Sequence, residues 1–313
     1  MKKIALLLWV TITLFFISSC TNQKQADIVT TMFPQYDFAR QIVGDHMTVS
    51  LIVPPGVEVH SYEVTPKDMV AIKEAKLFIF TSLEIDTWIK DPSKIGGNDT
   101  VVMDLSNHYT LDDMEHNHLL SLTIEDDHEH EDELHYWTDP MIAIQLIEAI
   151  MEEIIALDPE NEAVYTQNAN DYIAQIDALH HALDDFIQSG YVDTKIYFAG
   201  HNAMSLFGKR YHLDITSLFE SFKPDADLTS AELIQFTKLV SDENIHYLFI
   251  EELVEPKAAL QIVNELASKD YELNLLVLHG YHNITSKEKE EGARYIDLFS
   301  SNINHIKLAL NNQ

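Results

Sequence analysis

The sequence predicts an α/β protein with two lobes, each built on a central sheet, joined by a single long rigid helix. Three observations carry this. Short apolar runs alternate with amphipathic stretches, the pattern of strands layered by helices. The alternation occurs twice, with four apolar runs in each block. Between the blocks lies a stretch, residues 160–189, without a single Gly or Pro. The first block offers strands over 28–31, 48–53, 77–80 and 101–105, and the second over 196–199, 215–218, 247–250 and 274–278. Helix starts are written between them. Thr65-Pro66-Lys67-Asp68 supplies an N-cap, a proline in the first turn and an acid three residues after the cap. Thr229 with Glu232 and Thr285 with Glu288 have capping-box spacing, and Asp139-Pro140 opens another helix. In the middle stretch Ala169, Tyr172, Ile173, Ile176, Leu179, Leu183, Phe186 and Ile187 recur every three or four residues. One helix of about eight turns holds them on one face, with Gly190 as its stop. Two shorter helices turning near His180-His181 are the alternative.

Composition narrows the function. The 313 residues carry 20 Lys and Arg against 51 Asp and Glu, a formal charge of -31. Such a surface repels phosphate backbones, so no nucleic-acid partner is expected. The only cysteine, Cys20, excludes a disulfide framework and a Cys-rich zinc module. Met1-Lys2-Lys3 precedes a 14-residue apolar run, 4–17, shorter than the ~20 residues a membrane span needs. Ile17-Ser18-Ser19-Cys20 resembles a bacterial lipobox. Residues 1–19 are therefore expected to be a lipoprotein signal peptide, with lipid on Cys20 and 20–26 a tether. The expected divisions beyond it are an N-terminal lobe at 27–157, a linker helix at 158–189 and a C-terminal lobe at 190–313. The protein is expected in the cell envelope, anchored to the membrane and facing outside the cytoplasm.

Sixteen histidines are many for this chain, and several share a topological position. His60 follows the Pro54-Pro55-Gly56 loop after the second strand, and His135 directly precedes a helix start. His201 follows the fifth strand, while His279 and His282 follow the eighth. Ligands of open α/β sheets collect outside the carboxyl ends of strands. Histidines from both lobes can therefore converge in one cleft, and neutral imidazoles bind divalent transition metals. His46, His180, His181, His212, His246 and His305 read as ordinary solvated surface residues. The loop at 106–134 carries His116, His118, His128 and His130 among many acids, and reads either as a solvated surface loop or as an auxiliary metal-capture segment.

The segments Pro54-Pro55-Gly56-Val57-Glu58-Val59-His60-Ser61-Tyr62-Glu63, His135-Tyr136-Trp137-Thr138-Asp139-Pro140, Gly200-His201-Asn202-Ala203 and the stretch 278–285 give the chain a family resemblance. In this order it resembles the zinc/manganese-type substrate-binding lipoproteins of bacterial ABC metal importers, the high-affinity zinc-uptake family. The resemblance covers roughly 27–310. It implies a metal site in the cleft between the lobes, with His60, His135 and His201 as ligands. At the fourth position, counting back from Thr285, His282 stands where relatives carry a ligating Glu; His279 is the alternative. Imidazole-rich sites suit Zn²⁺ and carboxylate-rich ones suit Mn²⁺, so zinc is the expected cargo and manganese the less favoured one. The implied partner is an ABC transporter permease, and the receptor itself is expected to be a monomer. A surface adhesin is another reading within the family. A zinc-dependent hydrolase with Glu63 or Glu251 as base belongs to another class, and no His-Glu-x-x-His motif supports it.

Overall fold

The computed structural model describes residues 25–59, 62–111, 134–200, 203–217 and 227–312. The leader and Cys20, the loop histidines His116, His118, His128 and His130, and both His60 and His201 lie outside the described residues.

Two four-stranded parallel sheets form, one on each side of a long helix. The first contains β1 (Ile28–Thr30), β2 (Val49–Leu51), β3 (Leu77–Phe80) and β4 (Val101–Asp104) in the order β2-β1-β3-β4. The second contains β5 (Lys195–Ala199), β6 (Asp214–Ser217), β7 (Tyr247–Ile250) and β8 (Asn274–Val277) in the order β6-β5-β7-β8. All four residues of β3 are buried, because helices cover both faces of a parallel sheet; the run is therefore continuously apolar instead of alternating. In each sheet the strand order reverses around the first-formed strand, between β1 and β3 and between β5 and β7. Such switch points open a crevice at the carboxyl ends of the strands. Segments following β5, β7 and β8 therefore feed the same rim of the C-terminal lobe.

The N-terminal lobe carries α1 (Phe33–Val43) and α2 (Pro66–Glu74), followed by α3 (Pro140–Leu157). Thr65 caps α2 reciprocally with Asp68: the Asp68 amide donates to Thr65 Oγ1 at 3.3 Å and the Thr65 amide to Asp68 Oδ2 at 2.8 Å. A separate 3₁₀ turn at Pro159–Asn161 precedes α4 (Glu162–Gln188), whose 27 residues span about 40 Å. The helix runs through His180-His181 without interruption. Its buried residues Tyr165, Ala169, Tyr172, Ile176, Leu183 and Ile187 join one hydrophobic core with residues of both lobes. The C-terminal lobe adds α5 (Ser205–Tyr211), α6 (Ser230–Asp242), α7 (Lys257–Ala267), α8 (Ser286–Glu290) and α9 (Tyr295–Leu310). The capping boxes of Thr229 with Glu232 and of Thr285 with Glu288 open α6 and α8. No helix among the described residues is long and apolar enough to cross a membrane.

Candidate metal centre

From the N-terminal lobe the site receives His135, which stands immediately before a 3₁₀ turn, Tyr136–Thr138, and the start of α3. That turn is pinned from several sides. Tyr136 Oη donates to the Thr81 carbonyl at 2.7 Å, and the Thr138 hydroxyl to the His135 carbonyl at 2.8 Å. Trp137 Nε1 crosses between the lobes to donate to the Gly280 carbonyl at 2.9 Å. Asp139, fully buried, caps α3 by accepting the Met141 amide at 2.8 Å and pairs with Arg210 of α5 at 2.9 Å.

The C-terminal lobe contributes the loop after β8. Asn302 of α9 clamps it, accepting the His279 amide at 2.8 Å while donating to the His279 carbonyl and to Tyr281 Oη. Tyr281 adopts φ +62°, a left-handed conformation costly for a side chain of this size. It lies between His279 and His282, and the turn it makes presents both rings at one end of the lobe. His282 lies with its ring centroid 5.0 Å from that of His135, at right angles within 13°. The two candidates from opposite lobes thus meet.

Glu252, two residues past the end of β7, lies directly behind His282. Its Oε1 is 3.0 Å from His282 Nδ1, and its Oε2 accepts the Gly280 amide at 2.9 Å. Burial would raise this carboxyl, while its hydrogen bonds with His282 Nδ1 and the Gly280 amide favour the ionised form and act to lower it. An ionised carboxylate can only accept, so His282 Nδ1 carries the proton that joins them. Nε2 is the nitrogen left to face a ligand. His279 is arranged the other way round. Its Nδ1 accepts the Tyr281 amide at 2.8 Å, and burial lowers its pKa, so the neutral ring carries its proton on Nε2. That Nε2 is buried and has no hydrogen-bond partner among the described residues.

Glu252 and His282 border a narrow cleft of about 40 Å³ whose lining also includes Glu58, Val59, Ala203 and Met204. The lining therefore contains the sequence neighbours of positions 60 and 201. The 54–59 loop is drawn to the opposite lobe by Asn283, which donates to the carbonyls of Pro54 and Val57, and by the Gly56 amide, which donates to the Ile284 carbonyl. Among the described residues no three His, Cys, Asp or Glu side chains already surround one point. Two of the histidines read as ordinary are engaged locally: His305 Nδ1 lies 2.7 Å from the Val277 carbonyl, and His180 Nδ1 lies 3.0 Å from Tyr211 Oη. Sequence reasoning missed Glu252 and Asn302. Glu252 had a signal, an acid just past the carboxyl end of a strand; Asn302, in mid-helix, had none.

Two α/β lobes with parallel sheets, one continuous connecting helix and an inter-lobe cleft edged by the buried His282 define a substrate-binding protein. The chain belongs to the family of zinc-uptake complex component A, periplasmic, whose model matches residues 28–309. This is a family of non-enzymatic substrate-binding components, which removes the hydrolase reading. The chain is 27% identical over 295 residues to the high-affinity zinc uptake system protein ZnuA of Bacillus subtilis, covering 94% of this chain and 90% of that protein. It is 30% identical over 318 residues to the zinc-binding lipoprotein AdcA of Streptococcus pneumoniae, covering 98% of this chain but only 61% of AdcA. The crystal structure of the metal-dependent lipoprotein YcdH from Bacillus subtilis superposes with TM-score 0.73 at 26% identity, covering 90% of this chain and 98% of that one.

Proposed function

We propose that this chain captures Zn²⁺ in the cleft and hands it to an ABC permease, acting outside the cytoplasm as a monomer tethered by lipid on Cys20. His60, His135, His201 and His282 are the ligands, the first two from the N-terminal lobe and the others from the C-terminal lobe. The observation that carries the reading is the meeting of His135 and His282 across the lobes, with the Nδ1 of His282 bound to Glu252. A histidine whose far nitrogen is oriented by a carboxylate presents its other nitrogen as a lone pair, the arrangement metal-ligating histidines commonly have. His279, protonated on Nε2, serves the loop through the Tyr281 amide, so His282 is preferred over it.

Four imidazoles favour zinc over manganese. The family membership and the names of the relatives from Bacillus subtilis and Streptococcus pneumoniae support the same cargo. The loop histidines His116, His118, His128 and His130 act as a weaker capture segment beside the main site.

Calorimetric titration of the chain beginning at Thr21, with native mass spectrometry for stoichiometry, tests this. One tightly held zinc and weak manganese binding are expected. Ala substitution at His60, His135, His201 or His282 should each weaken binding strongly, and H279A much less. Equal affinity for both metals, or unchanged zinc affinity in H60A and H135A, would refute the reading. In cells C20A should move the protein from the membrane fraction to the soluble one.

A further inference from the structure

We propose that Glu252 is a positioning residue for cargo capture: through its two oxygens it locks His282 in the tautomer whose Nε2 can bind the cation. This rests on the reading of His282 as a ligand and adds to it the group that makes it one.

Glu252 Oε2 is committed to the Gly280 amide at 2.9 Å, and Oε1 to His282 Nδ1 at 3.0 Å. His279 Nδ1 is also near Oε1, at 3.5 Å, but it already accepts the Tyr281 amide and has no proton to give. Oε1 therefore acts on His282 alone. A free imidazole exchanges its proton between the two nitrogens, and only the form protonated on Nδ1 leaves Nε2 able to ligate. The carboxylate removes that choice. The Gly280 amide keeps the carboxylate from rotating away, and the same residue's carbonyl accepts the hydrogen bond donated by Trp137 Nε1 of the other lobe. Gly280 thus connects the turn beside His135 to the group behind His282.

The same accounting predicts what the E252Q substitution would do. The carbonyl and amino ends of a glutamine side chain differ, and the Gly280 amide needs an acceptor. In E252Q the side chain therefore turns its oxygen to Gly280 and its NH₂ to His282. An NH₂ facing Nδ1 demands a lone pair there, which drives the proton onto Nε2 and closes the ligating nitrogen. E252Q keeps the volume and both hydrogen bonds but inverts the tautomer.

The experiment compares wild type, E252Q and H282A. Long-range ¹H–¹⁵N correlation spectra of the metal-free, histidine-labelled protein report each ring's tautomer, and competition titration reports zinc affinity. Wild type should show His282 protonated on Nδ1. E252Q should show it on Nε2, retain its melting transition, and bind zinc about 10- to 100-fold more weakly. Unchanged affinity in E252Q, or weakened affinity with the Nδ1 tautomer intact, would overturn the positioning role. Unchanged affinity in H282A would instead overturn the assignment of His282 as a ligand, whatever E252Q does.

Discussion

Arg210 and Asp139 form an ion pair between the lobes whose removal should be costly. Arg210 Nε lies 3.1 and 2.9 Å from the two carboxylate oxygens, and the side chains are 11% and 0% exposed. Burial raises the Asp139 carboxyl, and the Arg210 guanidinium is the chief force opposing that rise. R210M retains the aliphatic bulk and deletes the charge, leaving Asp139 buried with only backbone amides to compensate it. Breaking a buried pair from one side costs about 3–5 kcal/mol. At about 2–3 °C per kcal/mol for a chain of this size, the melting temperature of the metal-free protein should fall by about 6–15 °C. In R210M the pKa of Asp139 lies further above its unfolded value, so protonation relieves the strain. The deficit should therefore shrink as pH falls from 7.5 to 5. D139N/R210M keeps an oxygen for the Met141 amide and buries no charge, so it should regain at least about half of the loss. Calorimetry of wild type, R210M, D139N and D139N/R210M at both pH values completes the cycle. A loss below about 1 kcal/mol in R210M, or a deficit that widens on acidification, would show that the pair does not carry this load.

Asp86 gives a second pH signature. Burial pushes its carboxyl up to about 6, against hydrogen bonds from the Thr81 amide and the Thr31 hydroxyl. A carboxyl raised on folding stabilises below its unfolded pKa of 3.8 and loses that contribution as pH climbs through about 6. The loss amounts to about 3 kcal/mol. Both donors address Oδ2, so an asparagine oxygen can accept them in its place. D86N should match wild type near pH 4 and exceed it by up to about 3 kcal/mol above pH 7 in urea titrations; an advantage independent of pH would sink this account. In G280A the new Cβ would lie 2.6 Å from His282 Cε1 and 2.7 Å from Nδ1, so the ring must leave Glu252. Zinc affinity should fall by about tenfold or more, and an unchanged titration would contradict the collision. Spin labels at the exposed positions Val70 and Ile234, one in each lobe, should give one distance distribution with and without zinc. A wholesale shift of the kind hinge closure produces would refute the rigid arrangement argued below.

All eight strands lie where the apolar runs place them, most plainly β3, whose Leu77-Phe78-Ile79-Phe80 is apolar and buried throughout. Their ends are less accurate for local reasons. The fourth run continues to Leu105, but the Asp104 carboxylate accepts the Ser106 amide at 3.1 Å and turns the chain one residue earlier. The long helix is readable as one piece because nothing from 160 to 189 breaks it. Around the cleft, the position of His279 and His282 just past β8 was legible in the sequence, and so was that of His135 just before a helix start. Which of the rings at 279 and 282 faces a carboxylate and which a backbone amide was not. Both facts arise only when β7, the 278–285 loop and α9 are packed together.

The connections between the lobes decide how the cleft can work. Beyond the shared core along α4, the lobes exchange direct hydrogen bonds on both sides of the cleft. Near the site, Trp137 reaches Gly280, Asn283 reaches Pro54 and Val57, and Gly56 reaches Ile284. Farther along, Asp37 accepts the Tyr295 amide, Arg40 reaches the Ala293 carbonyl, Tyr295 Oη reaches the Trp137 carbonyl, and Arg210 pairs with Asp139. Swinging one lobe about α4 would break most of these together. At about 1 kcal/mol net for each, and more for the ion pair, such an opening costs on the order of 8 kcal/mol before any core is exposed. A state that costly is populated about once in a million molecules, too rarely to serve as the route for cargo. The two lobes therefore keep one arrangement about α4, and the buried contact between His282 and Glu252 lies within it.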